Sequence, residues 1–245
     1  MNKKYGGIVL LKLSRKDLEN IAERVLVSYR NLPEVKRKKM YRVDPELLLT
    51  KVLGLNIEYQ HLSVDGSILG LTSYEEVGVE VLDYADTDSY FFLDGKTVLV
   101  EQDLHNDAAQ IGRCNFTLMH EAGHQILRNL FPKEYGRNKQ VATVHYYKHN
   151  SERNKPINDW EEWQANTLAS AILMPRDLVE YGMFLFGLGK KIKCLNRISD
   201  LQTYEKFSAM ADFLGTSKSA LAIRMKQLNL LEKEYLDNPL AILDI

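Results

Sequence analysis

The sequence predicts an α+β fold: a small, mostly antiparallel sheet with helices packed against it, followed by a helical C-terminal region. Three observations carry this expectation. Short runs with a period of two crowd into one stretch, residues 55–100. Patterns at helical spacing lie before and after that stretch. Strands that follow one another directly tend to pair directly, which points to antiparallel or mixed pairing.

The elements follow in order. Ser14-Arg15-Lys16-Asp17 is a helix-start signature. Leu18, Ile21, Ala22, Val25 and Leu26 recur at helical spacing to about Leu32, where Pro33 stops them. The charge run Lys36-Arg37-Lys38-Lys39 reads as solvated surface. Asp44-Pro45 opens a second helix with an N-cap and a first-turn proline, and Gly54 ends it. Ile57 to Leu62 alternates, Ile68 to Ser73 is short and apolar, and Val77, Val79 and Val81 alternate with Gly78 and Glu80. Tyr90 to Leu93, then Asp94-Gly95, then Thr97 to Val100 reads as a tight hairpin. Helix returns near Asp107 and runs to about Leu130. Pro132 to Pro156 is polar and reads as a long loop. Asn158-Asp159 caps a further helix that runs to Met174 and stops at Pro175. Arg176 to Ile245 reads as all-helical, punctuated by Gly182, Gly187, Gly189 and Gly215.

Composition narrows the function classes. The 245 residues are 45% hydrophobic and 27% charged, ordinary globular usage with material for a sizeable core. A net charge of −1 gives no overall field toward nucleic acid or an acidic membrane. The two cysteines, Cys114 and Cys194, cannot make a disulfide scaffold and read as thiols in a reducing compartment. No segment approaches the roughly 20 apolar residues that span a bilayer. The apolar stretch Gly7 to Leu11 is too short for a signal-peptide core. A soluble, cytoplasmic protein is expected.

The stretch Phe116-Thr117-Leu118-Met119-His120-Glu121-Ala122-Gly123-His124 carries the chemistry. Its core has the form H-E-x-x-H. Residues four apart on a helix share a face, so both imidazoles can reach one metal ion. Glu121, about 100° round the helix, can instead reach a water held by that ion and act as general base. Phe116, Leu118, Met119, Ala122, Ile126 and Leu127 make the helix apolar on several sides, hence largely buried. Two buried histidines beside a buried glutamate are costly unless something pairs them, and a cation does. A catalytic zinc needs a third protein ligand, with one position left for water. Candidates are His105, His145, His149 and the carboxylates of the helix beginning near Asp159. In that helix Glu162, Ala165, Asn166, Ala169 and Leu173 form one stripe, which favours Glu162; Glu161 falls to one side and reads as solvated.

These residues resemble a known family. Phe116-Thr117-x-x-His120-Glu121-x-Gly123-His124, followed 38 residues later by Glu162-x-x-Ala165-Asn166-x-x-Ala169-x-x-Ile172-Leu173-Met174-Pro175, resembles the ImmA/IrrE metallopeptidases. The resemblance spans roughly residues 44–230. It implies a zincin-like, specifically gluzincin-like, fold, Zn2+ on His120, His124 and Glu162, and Glu121 as the catalytic glutamate. Two departures are mild: Ala122 stands where the family often has a larger apolar residue, and Thr167-Leu168 where an aromatic often precedes Ala169. It also implies a bacterial or mobile-element protease whose protein substrate is a helix-turn-helix repressor, so that cleavage lifts repression. The division expected is residues 1–175, a metallopeptidase domain with N-terminal helices, and residues 176–245, a helical region.

Three further features stay open. His145, Tyr146, Tyr147 and His149 could supply a donor to a developing oxyanion, or be ordinary surface residues. Arg113, two turns before His120 on nearly the same side, could pair with a carboxylate or be solvated. Phe207 to Met225 reads as helix, turn, helix, with eight basic and three acidic residues between Lys190 and Lys226. Its apolar residues fit packing on the core better than direct binding to nucleic acid. The alternative function is a non-proteolytic zinc-containing regulator or toxin–antitoxin protein that binds a repressor or DNA.

Overall fold

The computed structural model describes residues 11–38, 41–82, 88–135, 144–148, 160–238 and 240. Helix α1 (Arg15–Arg30) starts with the reciprocal cap its sequence calls for: Ser14 Oγ accepts from Asp17 N–H, and the Asp17 carboxylate accepts from Ser14 N–H. Its stripe of Leu18, Ala22, Leu26 and Tyr29 is buried. Pro33 ends α1 and also opens a short helix α2 (Pro33–Lys38), since a proline fits a first helical turn. Helix α3 (Pro45–Leu47) continues into a π-helical turn, Leu48–Leu53, which Gly54 closes at φ 65°.

Six strands follow: β1 (Asn56–Gln60), β2 (Ile68–Ser73), β3 (Glu76–Leu82), β4 (Asp88–Asp94), β5 (Thr97–Glu101) and β6 (Val144–Lys148). They form a mixed four-stranded sheet in the order β1-β5-β2-β6 and a separate β3-β4 pair. β1 runs parallel to β5, while β5–β2 and β2–β6 are antiparallel.

Two sequence expectations are overturned here. The turn at Asp94-Gly95 forms, but β4 and β5 do not pair with each other across it. Val98, Leu99 and Val100 are all fully buried, so β5 needs cover on both faces and becomes an interior strand. β4 exposes Tyr90 and Phe92 and buries Leu93, so it suits a two-stranded flap. The polar stretch after Pro132 is also not all loop. It contains α6 (Pro132–Tyr135) and β6, whose Tyr146 pairs with Leu71.

Helix α4 (Gln102–Asn106) and a 3-10 turn (Ala108–Gln110) precede α5 (Ile111–Leu130), so the motif helix begins at Ile111 rather than near Asp107. Helix α7 (Trp160–Leu173) carries the second motif; the expected Asn158-Asp159 cap lies outside the described residues. Then come α8 (Arg176–Leu185), β7 (Ile192–Leu195), α9 (Leu201–Leu214), α10 (Lys218–Gln227) and β8 (Leu231–Glu234). β7 and β8 pair in parallel, so residues 176–245 are not all helical.

The four-stranded sheet separates two apolar clusters. On one face Val98 and Val100 meet Leu118 and Met119 of α5, Leu18 of α1 and Leu168 of α7, in a cluster that also takes in Phe207, Met210, Leu221 and Met225 of α9 and α10. On the other, Leu71 and Leu99 meet Leu62, Val79, Val81 and Leu93. The C-terminal helix pair thus packs on the core. Arg224 of α10 is fully buried, donates from Nε to the Met174 carbonyl at 2.8 Å and pairs with the Glu19 carboxylate. Among the described residues no helix is long and apolar enough to cross a membrane.

Candidate metal centre

Helix α5 is buried along 13 of its 20 residues, wedged between the sheet and α7. Gln125 ties it to β2, donating from Nε2 to Thr72 Oγ1 at 2.8 Å and to the Ser73 carbonyl at 2.7 Å. Gly123 sets the approach of α7. A Cβ there would sit 3.1 Å from the Ala165 carbonyl oxygen and 3.2 Å from its Cα. Only a hydrogen at position 123 lets the two backbones come this close. Gln164 fixes α7 from behind, donating to Tyr135 Oη at 2.9 Å and accepting from Leu13 N–H at 3.1 Å.

This packing carries Glu162 over the two histidines. His120 Nε2 and His124 Nε2 lie 3.2 Å apart. Glu162 Oε2 is 3.2 Å from the first and Glu162 Oε1 is 3.2 Å from the second. The 3.2 Å between the two imidazole nitrogens is the edge of a tetrahedron whose centre lies about 2.0 Å from each vertex, the usual zinc–imidazole bond length, and each Glu162 oxygen faces one of the two rings. The donor set, two imidazoles and a carboxylate, suits a divalent cation and leaves a fourth vertex for another ligand. Both imidazoles are fully buried, whereas the Glu162 side chain is 32% exposed, so the group opens toward solvent on the Glu162 side.

Neighbouring residues orient the ligands. His120 Nδ1–H donates to Asn166 Oδ1 at 3.2 Å, which leaves the lone pair on Nε2 facing the centre. The ring of Tyr147 lies against that of His120, centroids 4.2 Å apart, and its far side meets Phe116. Burial, then the Glu121 carboxylate, push the Tyr147 phenol up to about 12, against a smaller opposing pull from Arg113. The phenol is therefore a hydrogen-bond donor at neutral pH.

Glu121, one residue further round α5, packs against Gly70 of β2. It is fully buried, and among the described residues neither carboxylate oxygen has a hydrogen-bond partner. Burial pushes its carboxyl well above the usual carboxylate range, and the Glu162 carboxylate adds to this. Gly70 of β2 makes room for it: a Cβ at that position would lie 3.2 Å from Glu121 Oε1.

The other sequence candidates divide. His105 stacks on Tyr59, centroids 4.0 Å apart, and is not in the three-residue group. The side chain of His145, and all of His149, lie outside the described residues. Tyr146 is 43% exposed. Glu161, expected to be solvated, is half-buried, with its charge felt by the Tyr74 and Tyr135 phenols. Arg113 is half-buried, donates to Gln110 Oε1 at 3.0 Å, and among the described residues meets no carboxylate. Asn166 was legible as part of the motif stripe but not as the partner of His120. A second group, His61, Glu101 and Asp103, has ligand atoms within 4.8 Å of one another. There Glu101 is already engaged, accepting from Leu62 N–H at 2.9 Å and Asp103 N–H at 3.3 Å as the cap of α4.

Compared with models of known families and with curated proteins, the chain matches none.

Proposed function

We propose that the chain is a zinc-dependent endopeptidase of the ImmA/IrrE type that cleaves a protein partner, a helix-turn-helix repressor being the substrate the motif resemblance implies. The observation that carries this reading is the convergence of His120, His124 and Glu162 at 3.2 Å edges with Glu121 buried and unpartnered beside them. A metal held only for structure has no use for that fourth side chain. When bound, zinc supplies Lewis acidity to a water and to the scissile carbonyl.

The chain's own residues do the rest. Glu121 accepts a proton from the attacking water and returns it to the leaving amine. Its raised proton affinity, set by burial and Glu162, brings it nearer to neutrality than a solvated carboxylate. Asn166 keeps the His120 ring in one tautomer. The Tyr147 phenol, still protonated at neutral pH, can donate to the carbonyl oxygen as it gains charge. β6 is the outer strand of its sheet among the described residues, and an extended peptide can pair along such an edge.

The Glu121→Gln variant tests the reading. It should keep wild-type zinc content and lose cleavage by about a hundredfold or more. Unchanged cleavage would remove Glu121 from the role of base, and unchanged de-repression without cleavage would instead support a regulator that works by binding alone.

A further inference from the structure

A cavity of about 500 Å3 opens at the C-terminal end of α5 and shares none of its lining residues with the candidate metal centre. Three connections wall it: Gly54 after the π-helical turn, Tyr74 after β2, and Asp94-Gly95-Lys96 between β4 and β5. They hold one another in place. Asn56 N–H donates to the Lys96 carbonyl at 3.0 Å. A Cβ on Gly95 would lie 2.9 Å from the Tyr74 carbonyl oxygen, and φ there is 75°, so this turn closes on Tyr74 only with glycine. Gln125, bonded to Thr72 and Ser73, fixes α5 against the end of β2. The fold therefore builds this cavity from pinned backbone.

Arg128, in the last turn of α5, lines the cavity and is half-buried. Its guanidinium lies over the Tyr74 ring, Cζ 5.6 Å from the ring centroid. That contact uses the face of the guanidinium, whereas its N–H donors lie in the plane. Among the described residues no acceptor meets those donors, and Nε is shielded from solvent. A helix C-terminus favours a cation, which accounts for the charge and not for a shielded, unused donor. Lys96 reaches the same cavity, and among the described residues no carboxylate pairs with it. Asp94 Oδ1 already accepts from Lys96 N–H at 2.9 Å and Thr97 Oγ1 at 2.8 Å. Two unpaired cations thus face one engaged carboxylate, with Leu53 and Leu55 as apolar wall.

We propose that this cavity binds a small molecule through an oxyanion, a carboxylate or phosphate group, held by Arg128 and Lys96 with its carbon part against Leu53 and Leu55. The volume lies in the range of small-molecule sites. An oxyanion would meet the guanidinium fork in charge-assisted hydrogen bonds while the Tyr74 ring keeps the fork flat. The inference is independent of the peptidase reading and adds a second ligand site to the chain.

Calorimetric titration of the full chain in chloride buffer, with three probes of similar shape, tests it: phenyl phosphate, benzoate and the neutral benzamide. At least one anion should bind with a millimolar or tighter Kd, and benzamide should not; the tighter anion identifies the oxyanion. Arg128→Met keeps a stem on Tyr74 and removes the donors, and should weaken binding about tenfold or more. Lys96→Gln, at an exposed position, should weaken it severalfold, and decides the matter if Arg128→Met fails to fold. Lys16→Gln, the same charge change on the exposed side of α1, should leave the affinity unchanged. No binding of either anion, equal binding of benzamide, or equal weakening by Lys16→Gln overturns the assignment. So does an affinity that survives Arg128→Met, as it would for an anion held by a metal on His120, His124 and Glu162.

Discussion

Asn166 illustrates how much a single side chain controls at this centre. His120 offers two ring nitrogens, and only the one opposite Asn166 faces His124 and Glu162. Removing the Oδ1 acceptor frees both tautomers and lets the ring rotate, so part of the population presents a protonated nitrogen to the cation. Outer hydrogen bonds of this kind typically change metal affinity 10–100-fold. Asn166→Ala is expected to weaken zinc binding by about tenfold or more in a chelator competition, with the melting temperature of the metal-free protein little changed. At this scale the sequence was informative where chemistry is local. His120, Glu121 and His124 share one helix, and the roles proposed for them follow from their spacing. Tyr147 was one of four polar-stretch candidates. What singles it out is the β2–β6 register, which sets Gly70 opposite it and brings its ring onto His120. That register is a long-range fact with no local signature.

Among elements, the α5–α7 contact sets the ligand geometry. Gly123 is the point of closest approach, and its Cβ space is occupied by backbone of α7, which cannot yield as a flexible side chain would. Gly123→Ala should push α7 outward by a few tenths of an ångström or more and pull Glu162 away from both imidazoles. The expected outcome is a loss of zinc affinity larger than the loss of stability, read by comparing chelator competition with metal-free unfolding. Stability lost with affinity intact would show that the glycine serves packing alone. The element pattern also explains what was legible. β2 was read with its observed bounds because a short apolar run between turn signals is self-evident. The β4–β5 hairpin was misread because its turn signal is genuine while the partner choice depends on burial across the sheet. β7 and β8 were missed because each is only four residues long and finds its partner 39 residues away.

For the molecule as a whole, the candidate metal centre depends on a core that the chain builds from both ends. α1 packs on α7 through residues such as Leu18 and Leu168, and α10 reaches the end of α7 through Arg224 and the Met174 carbonyl. Arg224 reads in the sequence as one more basic residue of a possible nucleic-acid helix, yet it is fully buried and paired with Glu19. The helix-turn-helix outline was thus legible, and its use as a brace was not, because bracing requires the partner from α1. The contact between α5 and Thr216 at the start of the α10 turn, where a Cβ on Gly112 would lie 2.6 Å from backbone, closes the same core from the other side.

Convergence of His120 and His124 with a Glu162 that lies 38 residues beyond His124 is therefore a property of the complete fold, and whether it holds a metal can be seen directly. Crystals of the zinc-loaded protein, measured at the zinc absorption edge, should give an anomalous peak about 2.0–2.2 Å from His120 Nε2, His124 Nε2 and one Glu162 oxygen. No peak between these atoms, or a zinc bound instead at His61, Glu101 and Asp103, would contradict the account.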